Sequence, residues 1–156
     1  MNVRNARTSD AEAISSLVSY YAGLDRMLFC SVSDVYERLQ TFDVAEDGGA
    51  VIGCCAVQVI WSDLAEIKSL AVTKDRIGTG VGRALVEAAV EKAGRLGVRR
   101  VFTLTLEPVF FEKAGFQRVE KGSLPMKVWS DCAKCSKQDN CDEKALVLDI
   151  ACGHTK

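Results

Sequence analysis

The chain has 156 residues, 48% of them hydrophobic and 26% charged, with a formal net charge of −1. That length and balance describe one globular domain with a core of its own. Near neutrality, with no basic run beyond Arg95 to Arg100, excludes nucleic acid as the main partner, and no apolar run reaches the about 20 residues that cross a membrane.

Val3 to Ala6 reads as a short strand. Thr8-Ser9-Asp10-Ala11-Glu12 signals a helix start, with Ser9 as the cap and Glu12 three residues later. Ile14, Leu17 and Val18 then recur at helical spacing and define an inward face. Residues 22 to 31 are loop-like, and Ser33 to Gln40 forms a second short helix with Val35 and Leu39 inward. Asp43 to Glu46 and Ala50 to Trp61 are strands joined at Asp47-Gly48-Gly49, a hairpin signal. Cys54 and Cys55 are neighbours in the second strand, so they point to opposite faces and act as small buried hydrophobes.

Glu66 to Val72 is the central strand. A polar bend with Gly78, Gly80 and Gly82 follows, then an amphipathic helix from about Gly82 to Gly94 carrying Leu85, Val86, Ala89 and Val90. Val101 to Leu106 is the next strand. Pro108 opens a short helix that ends near Gly115, and Gln117 to Glu120 is another strand. From Leu124 the chain is polar and cysteine-bearing until the strand-like Lys144-Ala-Leu-Val-Leu-Asp-Ile150. The order β-α-α-β-β-β-α-β-α-β gives an α/β (α+β layered) fold, a mixed central sheet flanked by helices in a single domain. Residues 1–123 form its core, and residues 124–156 form an extension that completes the same domain.

A strand, a glycine bend and a helix in succession make an anion cradle. Glycines let the backbone turn and approach a ligand closely, and the helix start offers unpaired N–H groups at the positive end of its dipole. The bend is not a nucleotide-hydrolase P-loop, because Arg83-Ala84 stands where Lys-Ser/Thr is needed. Nor is it the GxGxxG dinucleotide fingerprint, whose spacing differs and which opens its domain.

Leu70-Ala71-Val72, then Gly80-Val81-Gly82, then Phe110-Phe111-Glu112-Lys113-Ala114-Gly115-Phe116 resemble, in that order, the strand, acetyl-CoA loop and F-[FY]-E-x-x-G-F element of the GNAT N-acetyltransferases. The resemblance implies a coenzyme A pyrophosphate held at Ile77, Gly78, Thr79, Gly80, Val81, Gly82 and Arg83. Ile77 stands where the family usually has Arg or Gln, with Arg76 displaced by one, so backbone N–H groups carry more of the binding. The family's acid, a Tyr, falls on Phe111, here a residue beside the cofactor without a hydroxyl. Acetyl transfer to an amine needs a base, since amines are mostly protonated near neutral pH. Glu66 is the candidate base and Asp63 a second acidic candidate. Main-chain N–H groups at Leu70, Ala71 and Val72 are the candidate oxyanion donors if the strand splays there.

The run from Val44 through Trp61-Ser-Asp-Leu-Ala-Glu66, the Pro-x-Phe-Phe helix, and Leu124-Pro-Met-Lys-Val-Trp129 to Cys141 is similar to the short stand-alone amino-acid N-acetyltransferases that make N-acetylglutamate for arginine synthesis. That similarity implies L-glutamate as acceptor and a cationic pocket. Arg26, Cys30, Lys68, Leu106, Lys127 and Trp129 are the candidate acceptor residues. Cys30 stands where an Arg is expected and Leu106 where a Tyr is expected. Another small amine, a protein lysine, or a CoA-binding or metal-sensing domain without turnover are the alternatives.

Seven cysteines are an odd number. With no evident signal peptide at Met1-Asn-Val-Arg, the expected location is cytoplasmic, where thiols stay reduced. Cys132, Cys135 and Cys141 form one CxxC and a loose third cysteine, candidate ligands for zinc or an iron–sulfur centre. A homodimer is the candidate assembly.

Overall fold

The structure, a computed structural model, describes residues 1–24, 27, 29–124 and 143–150. Seven strands form one sheet, β1 (Asn2–Asn5), β2 (Phe42–Asp47), β3 (Ala50–Trp61), β4 (Leu64–Val72), β5 (Arg100–Thr105), β6 (Gln117–Val119) and β7 (Lys144–Asp149), in the order β1-β2-β3-β4-β5-β7-β6. Among the described residues only the β4–β5 pair is parallel. Among the described residues four α-helices flank the sheet: α1 (Ala11–Gly23), α2 (Val32–Glu37), α3 (Val81–Arg95) and α4 (Pro108–Lys113). This is the mixed, helix-flanked α/β layer expected from the order of elements.

Both faces of the sheet are apolar, as a sheet covered by helices on each side requires. One face packs Cys55, Val57, Ala65 and Ile67 against Leu85, Val86 and Ala89 of α3 and against Phe111 and Phe116. The other packs Cys54, Ala56 and Ala71 against Ile14 and Val18 of α1 and Val35 of α2. Cys54 and Cys55 therefore lie on opposite faces, buried to 0% and 1% exposure. Complete burial of Leu85 and Val86 stabilises the α3 face by about 1.5–3 kcal/mol per side chain. Helix α3 lies unusually near the sheet at Gly53, where a Cβ would sit 2.9 Å from Leu85 Cδ1.

Local differences from the expected elements have local causes. Ser9 makes no cap; a 3-10 turn over Thr8–Asp10 precedes α1, and Asp10 is the N-cap residue, its carboxylate turned back to that 3-10 turn rather than onto the N–H groups of α1. It accepts from the Arg7 N–H at 2.7 Å and from the Arg4 guanidinium at 2.8 and 3.0 Å, an ion pair no short-range pattern announces. The second helix begins one residue earlier than expected and stops at Glu37, with Ser31 and Asp34 forming a reciprocal capping box. A 3-10 turn over Leu39–Thr41 completes the connection to β2. Strand β4 starts at Leu64, which places Glu66 inside the strand rather than at its opening.

β7 enters the sheet between β5 and β6, pairing with both. Leu64, Phe102, Leu124, Ala145 and Val147 form a third apolar cluster there. Among the described residues no helix is long and apolar enough to cross a membrane.

Candidate active site

The parallel ladder between β4 and β5 is short. It runs from Leu64–Arg100 through Glu66–Phe102 and stops, although β4 continues to Val72 and β5 to Thr105. Beyond Glu66 the two strands part. At that point the Thr103 hydroxyl, 3% exposed as a residue, donates to the Ile67 carbonyl at 2.9 Å. A side chain thus occupies an acceptor on the β5-facing edge of β4.

The edge of β4 that faces this gap is also bent. Cys54 pairs with Ala71 and Ala56 with Lys68, so β4 carries one more residue than β3 over this interval. Ser69 accommodates it at φ 56°, the left-handed region that a non-glycine residue rarely enters. Past the bulge, the Thr73 N–H bonds the Ile52 carbonyl on β3 at 2.9 Å. Strand alternation then turns Ala71 toward β3, and the N–H groups of Leu70 and Val72 toward the gap. Lys68, Ser69 and Leu70 are half-buried within a strand that is otherwise buried.

Glu66 is 7% exposed at the last rung before the strands part. A solvated edge carboxylate is thereby excluded for this residue. It shares its face with Gln58, its cross-strand neighbour, between the α1–α2 cluster and the Leu64–Phe102 cluster. Asp63 lies in the β3–β4 turn and is exposed.

The glycine bend follows β4. Gly80 is the N-cap of α3 at φ 93°, a conformation that disfavours any side chain, and no side-chain hydrogen bond caps the helix. The first turn of a 15-residue helix therefore opens beside the carboxyl end of β4. Gly82 permits close approach of α4, since a Cβ there would sit 3.3 Å from Phe110 Cζ. Thr79 folds back onto the Arg76 carbonyl, and Ile77 is 61% exposed. The neighbouring cations are engaged elsewhere: Arg76 pairs with Asp47 at 2.8 Å and Arg83 with Glu87 at 3.3 Å.

Phe111, at 4% exposure, is a core residue stacked edge-to-face with Phe110 and Phe116. Phe110, read from the sequence only as part of the Phe-Phe-Glu element, is the ring that meets the start of α3. Leu106 lies just past the end of β5, on the opposite side of the opening, and is partly exposed.

Cys30 belongs to the α1–α2 cluster, and Lys68 pairs with Ala56 of the same cluster. Cys30 is buried at 6%, and its carbonyl accepts from the Ser15 hydroxyl at 2.9 Å. Burial pushes its thiol up and the Asp34 carboxylate adds to this, while Arg38 and Lys68 pull the other way. This corner is thus within electrostatic reach of two cations. Arg26, Lys127, Trp129, Cys132, Cys135 and Cys141 lie outside the described residues. Among the described residues no group of three metal-ligating side chains occurs.

A groove of about 850 Å³ along α3 is a separate feature. Its floor is Val86, Val90, Leu148 and Ile150, and the Glu87 and Arg95 at its margin pair within α3. It follows the later turns of the helix, away from the uncapped N-terminus.

Residues missed by sequence reading share one trait. Tyr21 donates to the Val72 carbonyl at 2.6 Å across 51 positions, and Thr103 reaches Ile67 across 36. No spacing rule spans such separations. Ser69 gives no glycine signal for its bulge.

Comparison with known proteins gives a consistent picture. Residues 38–118 match the family model described as an acetyltransferase (GNAT) domain. The chain is 46% identical to an N-acetyltransferase of Chlorobaculum tepidum whose own role is uncharacterised, over 95% of this chain and 96% of that one. It is 41% identical to an amino-acid acetyltransferase of Mycobacterium tuberculosis, over 85% of this chain and 77% of that one. A Mycobacterium tuberculosis protein crystallised in complex with CoA superposes with a TM-score of 0.85 at 34% identity, covering 97% of this chain and 100% of the other. The N-acetylglutamate synthase of Neisseria gonorrhoeae has a TM-score of 0.87 at 24% identity, a likeness of fold; the match covers 96% of this chain and 35% of that one.

Proposed function

The chain belongs to the GNAT acetyltransferases, and from that membership we propose that it transfers the acetyl group of acetyl-CoA to the amino group of a free amino acid, L-glutamate first among the acceptors. The observation that carries the proposal is the parting of β4 from β5 at Glu66. The opening lies between an uncapped helix start, suited to a pyrophosphate, and a buried carboxylate, suited to an amine proton.

In this reading, N–H groups of the first turn of α3 and of the Gly78–Gly80 bend hold the pyrophosphate. The pantetheine arm fills the gap along β4. The thioester carbonyl meets the Leu70 and Val72 amides, which stabilise the oxyanion as the amine attacks. Glu66, directly or through one water, takes the amine proton. The thiolate departs without help from Phe111, which has no proton to give. A free thiol has a pKa of about 8.5, so this leaving group is tolerable unprotonated.

A 41% identical relative named an amino-acid acetyltransferase supports the acceptor class. Lys68, whose cross-strand neighbour Ala56 shares the α1–α2 cluster with Cys30, supports an acceptor bearing a carboxylate. Lys127 and Arg26 are proposed to add to that recognition, and Trp129 to flank it. The test is thiol release from acetyl-CoA with each of the twenty amino acids in turn. The expected result is turnover with glutamate above the rest; silence with all of them removes the amino-acid reading.

A second reading is a CoA-binding domain without turnover. The apolar Ile77 in the bend and Phe111 in place of a phenol favour it. CoA binding measured by calorimetry, with no thiol release for any amine, is its signature.

A further inference from the structure

A strand edge freed from its ladder presents carbonyls as well as amides, and a carbonyl repels the oxygen of a thioester. The gap-facing edge of β4 deals with this in a specific way. Two of its carbonyls, those of Ile67 and Val72, accept from side-chain hydroxyls. Thr103 Oγ1 donates to Ile67 O at 2.9 Å and Tyr21 Oη to Val72 O at 2.6 Å; the contact of Cys54 Sγ with Ser69 O at 3.5 Å comes from β3, on the other edge. The two hydroxyl bonds bracket the bulge at Ser69. Between them lie the N–H groups of Leu70 and Val72, which alternation turns into the gap.

We propose that Tyr21 and Thr103 are positioning residues for acetyl transfer: their hydroxyls occupy the flanking carbonyls of β4, so that the opening offers the acetyl oxygen donors rather than acceptors. Thr103 also marks where the sheet opens. Its hydroxyl takes the Ile67 carbonyl at the end of the main-chain ladder, one residue past the Glu66–Phe102 rung. Tyr21 ties the far end of the same segment to α1, the helix that also carries Ser15, whose hydroxyl holds Cys30. Both hydroxyls act through the backbone and touch no reacting atom. The proposal rests on the acetyl-CoA reading above.

Each variant changes one hydroxyl with little change of volume. Thr103→Val and Tyr21→Phe are compared with wild type and with Thr103→Ser, which retains the donor. Three quantities are read: steady-state thiol release, CoA affinity by calorimetry, and the infrared stretch of an isotope-labelled thioester carbonyl in bound acetyl-CoA. In Thr103→Val and Tyr21→Phe, kcat falls about tenfold, less than the loss expected for deleting an oxyanion donor outright. KM for acetyl-CoA and Kd for CoA stay within about twofold of wild type. The carbonyl stretch, displaced to lower frequency in wild type by the amides, moves back toward its free value. Thr103→Ser restores both rate and stretch. An unchanged carbonyl band in both variants overturns the proposal, as does a loss of rate that follows CoA affinity alone. Wild-type protein that binds no CoA overturns the acetyl-CoA reading itself, and this inference with it.

Discussion

Glu66 is a carboxylate at 7% exposure, at the point where two parallel strands separate. Burying such a group is costly unless it is paired and hydrogen-bonded; its place where the strands part is what makes it the proposed base. Glu66→Gln keeps the shape and removes the base. Its kcat is expected to fall by about a hundredfold or more, with KM for acetyl-CoA nearly unchanged and the thermal midpoint not lowered. A retained rate in that variant excludes Glu66 as the base. The buried thiols supply a different residue-scale prediction. Burial pushes Cys54 up from 9.0 to about 12, and Cys55 upward as well. Below 9.0 both thiols are protonated in the folded and the unfolded chain, so they add no pH dependence. Above it the unfolded chain releases protons that the folded chain retains, and stability falls as pH rises toward 12 for Cys54. The slope is at most about 1.4 kcal/mol per pH unit for each thiol. Urea unfolding followed across this alkaline range should show the decline, and a Cys54→Ala, Cys55→Ala double variant should show a shallower one.

The element proposed to hold the cofactor is the junction of the bend with α3. Gly80 at φ 93° is both the N-cap and the residue that aims the first turn. Gly80→Ala forces a side chain into that conformation at a cost of about 1–3 kcal/mol. Relief of the strain redirects the amides, so the Kd for CoA should rise about tenfold while the global unfolding midpoint shifts by only a few degrees. Calorimetric titration measures the first and thermal unfolding the second; undiminished affinity would remove the bend from the binding site. The glycine spacing, the apolar stripe and the helix that follows were all legible in the sequence because each is set within a few residues. The cap of α1 was misread for the opposite reason. Ser9 satisfies the local rule, yet the helix starts one residue later at Asp10, whose carboxylate is held by Arg4 from β1 and by the Arg7 N–H. A charge-assisted bond to an arginine is stronger than a serine cap, and the arginine arrives through the fold.

At the scale of the molecule, β7 is proposed to complete the domain. It pairs with β5 over six residue positions and with β6 over three. It also buries Ala145, Leu146 and Val147. A chain ending at Leu124 is expected to lose cooperative unfolding, because β5 and β6 then expose unpaired edges and Phe102 loses its cover. Circular dichroism and thermal unfolding of that truncation provide the measurement. A sharp transition like that of the full chain would make residues beyond 124 an appendage.

By itself the sequence determined the elements, their order and the family to which they belong, together with Glu66 and the glycine bend as the places to look. These depend on periodicity, turn chemistry and motif spacing, all of which act over short distances along the chain. Tertiary structure alone decided where the β4–β5 ladder ends, that Ser69 takes the bulge, and that Tyr21 and Thr103 seize the carbonyls on either side of it. Those contacts join residues 36 and 51 positions apart. A hydroxyl finds its acceptor only after the sheet and α1 have packed.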